Sequence, residues 1–549
     1  MLCCCFTAVA FIGCKKQNDS SQSTGGSVDI EETYGIDEEY LPVASPKSYS
    51  SKVDVHLVFG DTQPAWKKVV EEYNRFQPKV RVTLTNHTSA EYGDLLRQEV
   101  AAGDSDWDIF HGNYIGATVD RYAYDIYGDI STRNYYAGGK IWKTVLEKNA
   151  YTTGTDGRKM TYIMNSESLL TAWFINEEAF KSAGVVDESG QAKIPATWDE
   201  LLDACQKLKA AGYSAPLGIG GSNDSITYSQ FCWLLRVYGD QYFRDMLQKI
   251  QPVKGDFCYS SLFEANPFVL DLNAEQPESE DNYLVNVSRL YWTILDETSE
   301  DFCGPKSAKY GEFIANLAKM KEYVSSAFAT LSLEEARANF VANREDKTSP
   351  VILLDYLGSG LYIKNSLQSA GDRKFTLGMF DYPYMTGDYV NTDFVRDVGG
   401  NGGYLSIMDQ NGTQNAATLD FLKFFMSPYG QSVYYSALLE SNATPMGIST
   451  VKNFKIPDEW NDIFNNGKVT FTGLCDSNPY TACMLWTVQG RATVTQANAE
   501  YIRKLFAGEY AVADYQNAWQ NALQKEYQAY FKEMGMKSDC YRHPDQNPQ

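Results

Sequence analysis

The sequence predicts an α/β protein of two doubly wound lobes facing each other across a cleft, with a helical elaboration in the second lobe. Three observations carry that prediction. At 549 residues the chain exceeds what one compact core holds, so two or more lobes are expected. The ordered part opens on alternating strand and helix signals, and the same grammar resumes past residue 162. Between later strands, Gly399, Gly400, Gly402 and Gly403 fall within five residues, just before the alternating run Tyr404-Leu405-Ser406-Ile407. Backbone freed of Cβ atoms there serves either as a hinge lining a cleft or as an ordinary loop before a strand.

Val53, Val55, Leu57 and Phe59 alternate as a strand, and Gly60 to Pro64 turns. Trp66, Val69, Val70, Tyr73 and Phe76 share one helical face, which Gln77-Pro78 stops. Val80, Val82 and Leu84 make a second strand. A helix from about Ala90 to Ala102 ends at Gly103, and Trp107 to Phe110 is a third strand. Such a parallel sheet binds ligands beyond the carboxyl ends of its strands, here Gly60–Gln63 and His111–Tyr114.

Tyr162 to Asn176 reads as extended. Thr197 and Glu200 then form a capping box ahead of a helix that buries Trp198, Leu201, Leu202, Cys205 and Leu208. Ser214 to Gly220, Val351 to Asp355 and Phe375 to Phe380 are further strands. Residues 250–345 carry helical signals with no strand alternation, and Asn415–Met426, Val494–Leu505 and Tyr515–Met534 are helical.

The net charge of −22 argues against nucleic acid, or anionic lipid read by charge, as the main partner. The uncharged apolar run 1–13 is too short to span a bilayer as a helix and reads as the core of an export signal, with a buried apolar N-terminus as the other reading. Phe11-Ile12-Gly13-Cys14 resembles a bacterial lipobox with Cys14 as the lipidated residue, and residues 15–50 read as a disordered tether with a reach of about 30 Å. Seven cysteines remain outside these segments, an odd number that excludes a complete disulfide framework. Cys475 and Cys483 are close enough in sequence to bridge. Four histidines and no CxxC give no zinc-site spacing, and no metal or other cofactor is expected. Asp104, Asp106 and Asp108 begin like a calcium loop, but Ile109 stands where glycine is needed. No P-loop and no GxSxG is present.

Several segments resemble, in the same order, the extracellular solute-binding proteins of ABC importers, in particular the carbohydrate-binding group that includes maltose-binding protein. They are Phe76 to Val82, Leu95 to Gly103 leading to Asp106-Trp107-Asp108-Ile109-Phe110, Thr171 to Asn176, Pro195 to Leu202, Asp397 to Gly400, and Phe424 to Gly430. The resemblance covers residues 51 to about 535. It implies a type II periplasmic-binding-protein-like fold with chain crossings near Met164–Ser168, Gly399–Gly403 and Thr444–Met446. Lobe 1 would span 51–165 with the return segment 402–445, and lobe 2 would span 166–398 with 446–535, leaving a tail at 536–549.

A sugar cleft needs an aromatic face for C–H groups and polar partners for hydroxyls. Trp486, within Cys483 to Val488, resembles the family's stacking aromatic; a core tryptophan is the other reading. Asp61 and Gln63 either meet ligand hydroxyls or form a polar capping turn. His111 and Asn113 flank Gly112 beyond the third strand, with a satisfied histidine as the alternative at His111. Trp233, Asp355 and Ser359 are candidates on the second lobe, and Asn401 is a rim donor if the glycine run is a hinge. Trp173 either faces ligand or packs between the lobes.

The expectation is a monomeric, non-catalytic, lipid-anchored receptor on the outer face of a bacterial cytoplasmic membrane. It would take a carbohydrate and pass it to ABC permease subunits. A surface polysaccharide-processing enzyme and a glycan-adhesion lipoprotein are the alternatives.

Overall fold

A computed structural model describes residues 35–44, 49–60, 64–103, 105–151, 161–274, 284–398, 401–465, 469, 473, 475, 478–485 and 492–549. The chain opens on β1 (Val53–Gly60), whose inward residues Val53, Val55, Leu57 and Phe59 are buried. Helix Ala65–Phe76 covers it with Trp66, Val69 and Tyr73. β2 (Val80–His87) follows, then helix Ser89–Ala102, which ends at Gly103 with φ +73°. β3 (Ile109–Phe110) completes the parallel trio, with β1 between β2 and β3.

A small hairpin, β4 (Arg133–Asn134) with β5 (Lys140–Ile141), stands apart. Residues 35–44, expected within a disordered tether, are instead fastened beside it: Val43 N–H donates to Tyr135 O at 2.9 Å, Glu39 pairs with Lys140 at 2.6 Å, and Ile36 bridges to Phe454.

The chain then runs through β6 (Met164–Leu169) straight into β7 (Thr171–Asn176). β8 (Leu217–Gly218), β9 (Ile352–Tyr356), β10 (Leu377–Phe380), β11 (Asn401–Ile407) and β12 (Gly447–Ser449) complete the strands of the two large sheets. The first sheet has the order β12-β6-β11-β3-β1-β2 and the second β10-β7-β9-β8. Leu170 is the elbow between them. Its N–H donates to Met446 O at 3.2 Å, and its carbonyl accepts from Leu357 N–H at 2.9 Å.

This moves the first crossing from Met164–Ser168 to Leu170. It also puts residues 166–169 and 447–449, expected in the second lobe, into the first sheet. Both β6 and β7 are buried almost throughout, so no alternation of exposure marks where the backbone changes partners. β11 begins at Asn401, earlier than the alternation at Tyr404 implied, and Gly399 and Gly400 lie outside the described residues. Gly403 sits in it with φ +63°, and a Cβ there would lie 2.2 Å from Ser166 Oγ.

Caps follow the sequence closely. Thr197 Oγ1 accepts from Glu200 N–H at 3.1 Å, and the Glu200 carboxylate accepts from the backbone N–H of Ala196 at 2.8 Å and also bonds to that of Thr197. In residues 250–345 the structure has helices Leu262–Ala265, Val287–Leu295, Ala308–Ala318 and Leu333–Ala342. The long helix Val512–Glu533 packs on this region through Tyr515, Trp519 and Tyr527, in one core with Trp233 and Tyr242. Helices Gly412–Phe425 and Pro428–Glu440 return to the first sheet, where Trp66 meets Phe425 at 4.2 Å between ring centres. No described helix is long and apolar enough to cross a membrane.

Candidate functional site

The carboxyl ends of β1 and β3 form one wall. His111 follows β3 with its ring stacked on Phe59, centroids 4.6 Å apart and planes within 3°. Tyr92, from helix Ser89–Ala102, meets it edge-on at 5.7 Å. The Tyr92 hydroxyl accepts from His111 N–H at 2.8 Å and donates to Val58 O at 2.9 Å, so one phenol ties both strand ends together. Burial pushes that phenol well above its ordinary pKa. Gly112 is needed for close approach: a Cβ would fall 2.2 Å from Ser406 Oγ, which donates to Tyr162 O at 2.6 Å. His111 and Tyr114 are half-buried, Asn113 is exposed, and the rings of His111 and Tyr114 stack at 6.2 Å. An aromatic wall with a polar fringe results.

The opposing wall follows β8. Gly220 N–H donates to Gln230 Oε1, and the Gln230 amide donates to Gly218 O and Leu354 O, each within 2.8 Å. This fixes the turn Gly220–Ser222 to the sheet. Ser222 caps the short helix Asn223–Thr227, and Tyr228 emerges from its end 59% exposed. Partial desolvation and the Asp224 carboxylate raise the Tyr228 phenol, while Arg97 of helix Ser89–Ala102 pulls it back. A guanidinium on the first lobe therefore lies within electrostatic reach of an open ring on the second.

The elbow forms the floor. Thr171 Oγ1 and Tyr382 Oη lie 2.7 Å apart, and Tyr356, at the end of β9, is half-buried.

Of the residues singled out in sequence, His111 and Asn113 stand on the first wall. Trp173, Trp233, Asp355 and Ser359 are each at 0% exposure, so none presents a face to the gap in this conformation. Trp173 stacks on Phe380, and Trp233 sits in helix Gln230–Phe243, which is buried almost all round. Asp355 is held by Arg337 through two bonds of 2.6 and 2.8 Å, and Ser359 adjoins it. Burial raises the Asp355 carboxyl despite that partner. Asp61, Gln63, Trp486 and the Asn401 side chain lie outside the described residues.

Tyr228 was missed. Its signal was an aromatic set among the polar residues Ser225, Thr227 and Ser229. Cys205, Cys232, Cys258, Cys303, Cys475, Cys483 and Cys540 are free thiols, so Cys475 and Cys483 are not bridged.

Residues 59–268 match the profile of a family described as bacterial extracellular solute-binding protein. Solved structures of the same shape include a chitin oligosaccharide binding protein at 17% identity, with a TM-score of 0.53 over 86% of this chain and 98% of that one. A family 1 extracellular solute-binding protein from Bifidobacterium longum subsp. infantis gives 16% and 0.52 over 87% and 100%. A maltose-bound T. maritima MalE3 gives 13% and 0.54 over 86% and 100%. At such identities the likeness is one of fold. No curated protein matches the chain in sequence. Over residues 59–268 by profile, and by fold over most of its length, the chain is similar to the bacterial extracellular solute-binding proteins.

Proposed function

We propose that the protein captures a carbohydrate, an oligosaccharide above all, between its two lobes and delivers it to an ABC permease. It would act as a non-catalytic, lipid-anchored receptor on the outer face of a bacterial cytoplasmic membrane. The observation that carries this reading is the ring of Tyr228, open to solvent and within electrostatic reach of Arg97, on the same helix that supplies Tyr92 to the His111–Tyr114 wall. Flat rings suit sugar C–H faces, and the polar fringe of Asn113, Asp224 and Arg97 suits hydroxyls. A ligand touching both lobes favours the closed form by the difference in its contacts with the two states. Asp61, Gln63, Asn401 and Trp486 are proposed to complete the ring of contacts, and the ligands of similar structures, chitin oligosaccharide and maltose among them, support the ligand class.

Titration calorimetry against a panel of mono- and oligosaccharides tests the proposal. At least one should bind, and Tyr228→Ala should weaken it by more than about 1 kcal/mol with little change in folding stability. No binding across the panel removes the carbohydrate reading. Turnover of a glycan, abolished by one carboxylate substitution, would favour an enzyme instead.

A further inference from the structure

Glu167, on the strand that leads into the elbow, is only 3% exposed. Its Oε2 accepts from Met446 N–H at 2.8 Å, and Gly447 N–H and the Tyr434 hydroxyl also bond to the carboxyl. Met446 is the residue whose carbonyl takes the Leu170 N–H, and Gly358 of the second lobe is packed so closely that a Cβ there would lie 2.6 Å from Pro445 O. The carboxyl thus fastens the return segment 443–447 to the passage strand at the point where the two sheets meet. Gly447 admits no side chain, since a Cβ would come within 1.5 Å of Ser168 O, so the fastening is tight.

The groups around Glu167 are neutral. Helix Pro428–Glu440 presents Tyr434 and Tyr435, and the Tyr435 hydroxyl donates to Gly447 O at 2.8 Å. β11 presents Gly402, opposite Glu167, and β12 presents Ile448 and Ser449. No described charged side chain acts on the carboxyl.

We propose that Glu167 is a proton-operated lock on the elbow: protonated, it stays buried and holds the return segment; ionised, it favours a looser elbow that lets water reach it. Burial pushes this carboxyl up to about 7, and its three hydrogen bonds only partly offset that. The sign follows by linkage. A group whose pKa is higher when buried favours the buried state while it carries its proton, and that advantage is lost as pH rises through about 7. The elbow of the ligand-free protein therefore loosens in mildly alkaline medium.

Hydrogen exchange of peptides covering residues 443–449 in the ligand-free protein tests this, after correction for the pH dependence of intrinsic exchange. Between pH 6 and 8.5 wild-type protection should fall by about ten-fold. Glu167→Gln, a neutral isostere, should stay protected across the whole range. Tyr434→Phe, which removes one donor from the carboxylate, should move the midpoint to higher pH. Wild-type protection that does not change with pH overturns the proposal. So does a Glu167→Gln protein less protected than wild type at pH 8.5, because the charge itself would then be holding the segment. An unmoved midpoint in Tyr434→Phe overturns it independently.

Discussion

Replacing Arg337 with methionine should destabilise the protein by about 3–5 kcal/mol, measured by denaturant unfolding of the ligand-free chain. Asp355 has no solvent exposure, and the bidentate guanidinium is its charged partner, on Nε and Nη2 at 2.6 and 2.8 Å. Removing that partner leaves a carboxylate in a site that already disfavours its charge. The loss should depend on pH in a definite sense. Asp355 has a raised folded-state pKa, so at acid pH it carries a proton and the penalty is smallest; the penalty grows as pH rises through that value. Combining Arg337→Met with Asp355→Leu should recover much of the stability, since an apolar pair can replace a buried ion pair at little cost. A single variant as stable as wild type at pH 8 would mean that water reaches Asp355 after all.

Trp173→Ala should cost a similar amount, about 3–5 kcal/mol, by opening a cavity in the second sheet. The indole is fully buried on β7, stacked on Phe380 and edge-on to Tyr382. Trp173→Phe should cost far less, because it keeps most of the packing and removes an indole N–H that has no hydrogen-bond partner. If Trp173→Ala weakened ligand binding while leaving unfolding unchanged, the residue would belong to the cleft and not to the core.

These two residues show where the sequence was legible. Period and caps located the elements well: Thr197 with Glu200, Gly103 after its helix, and the face Trp66-Val69-Tyr73 are all local signals. The site was harder to read because burial is not local. Asp355 at a strand end and Trp233 after a polar loop look alike on paper whether they face a gap or a core, and only Arg337 and the surrounding helices decide. Tyr228 is the converse case: Phe231, Cys232 and Leu235 fall at helical spacing after it, yet it stands exposed at the end of a short helix behind the fixed turn. The elbow at Leu170 was displaced for a third reason. The strands on both sides of it are buried almost throughout, and the change of sheet is written only in backbone pairing.

The strap at residues 35–44 has a mechanical consequence. Its bonds to Tyr135, Lys140 and Phe454 all land on the body built around the first sheet. A load arriving along the chain from upstream of Gly35 is thus borne by that body alone. Under the proposed anchor and closure, the half carrying Tyr228 would travel while the half carrying His111 would serve as the fixed jaw.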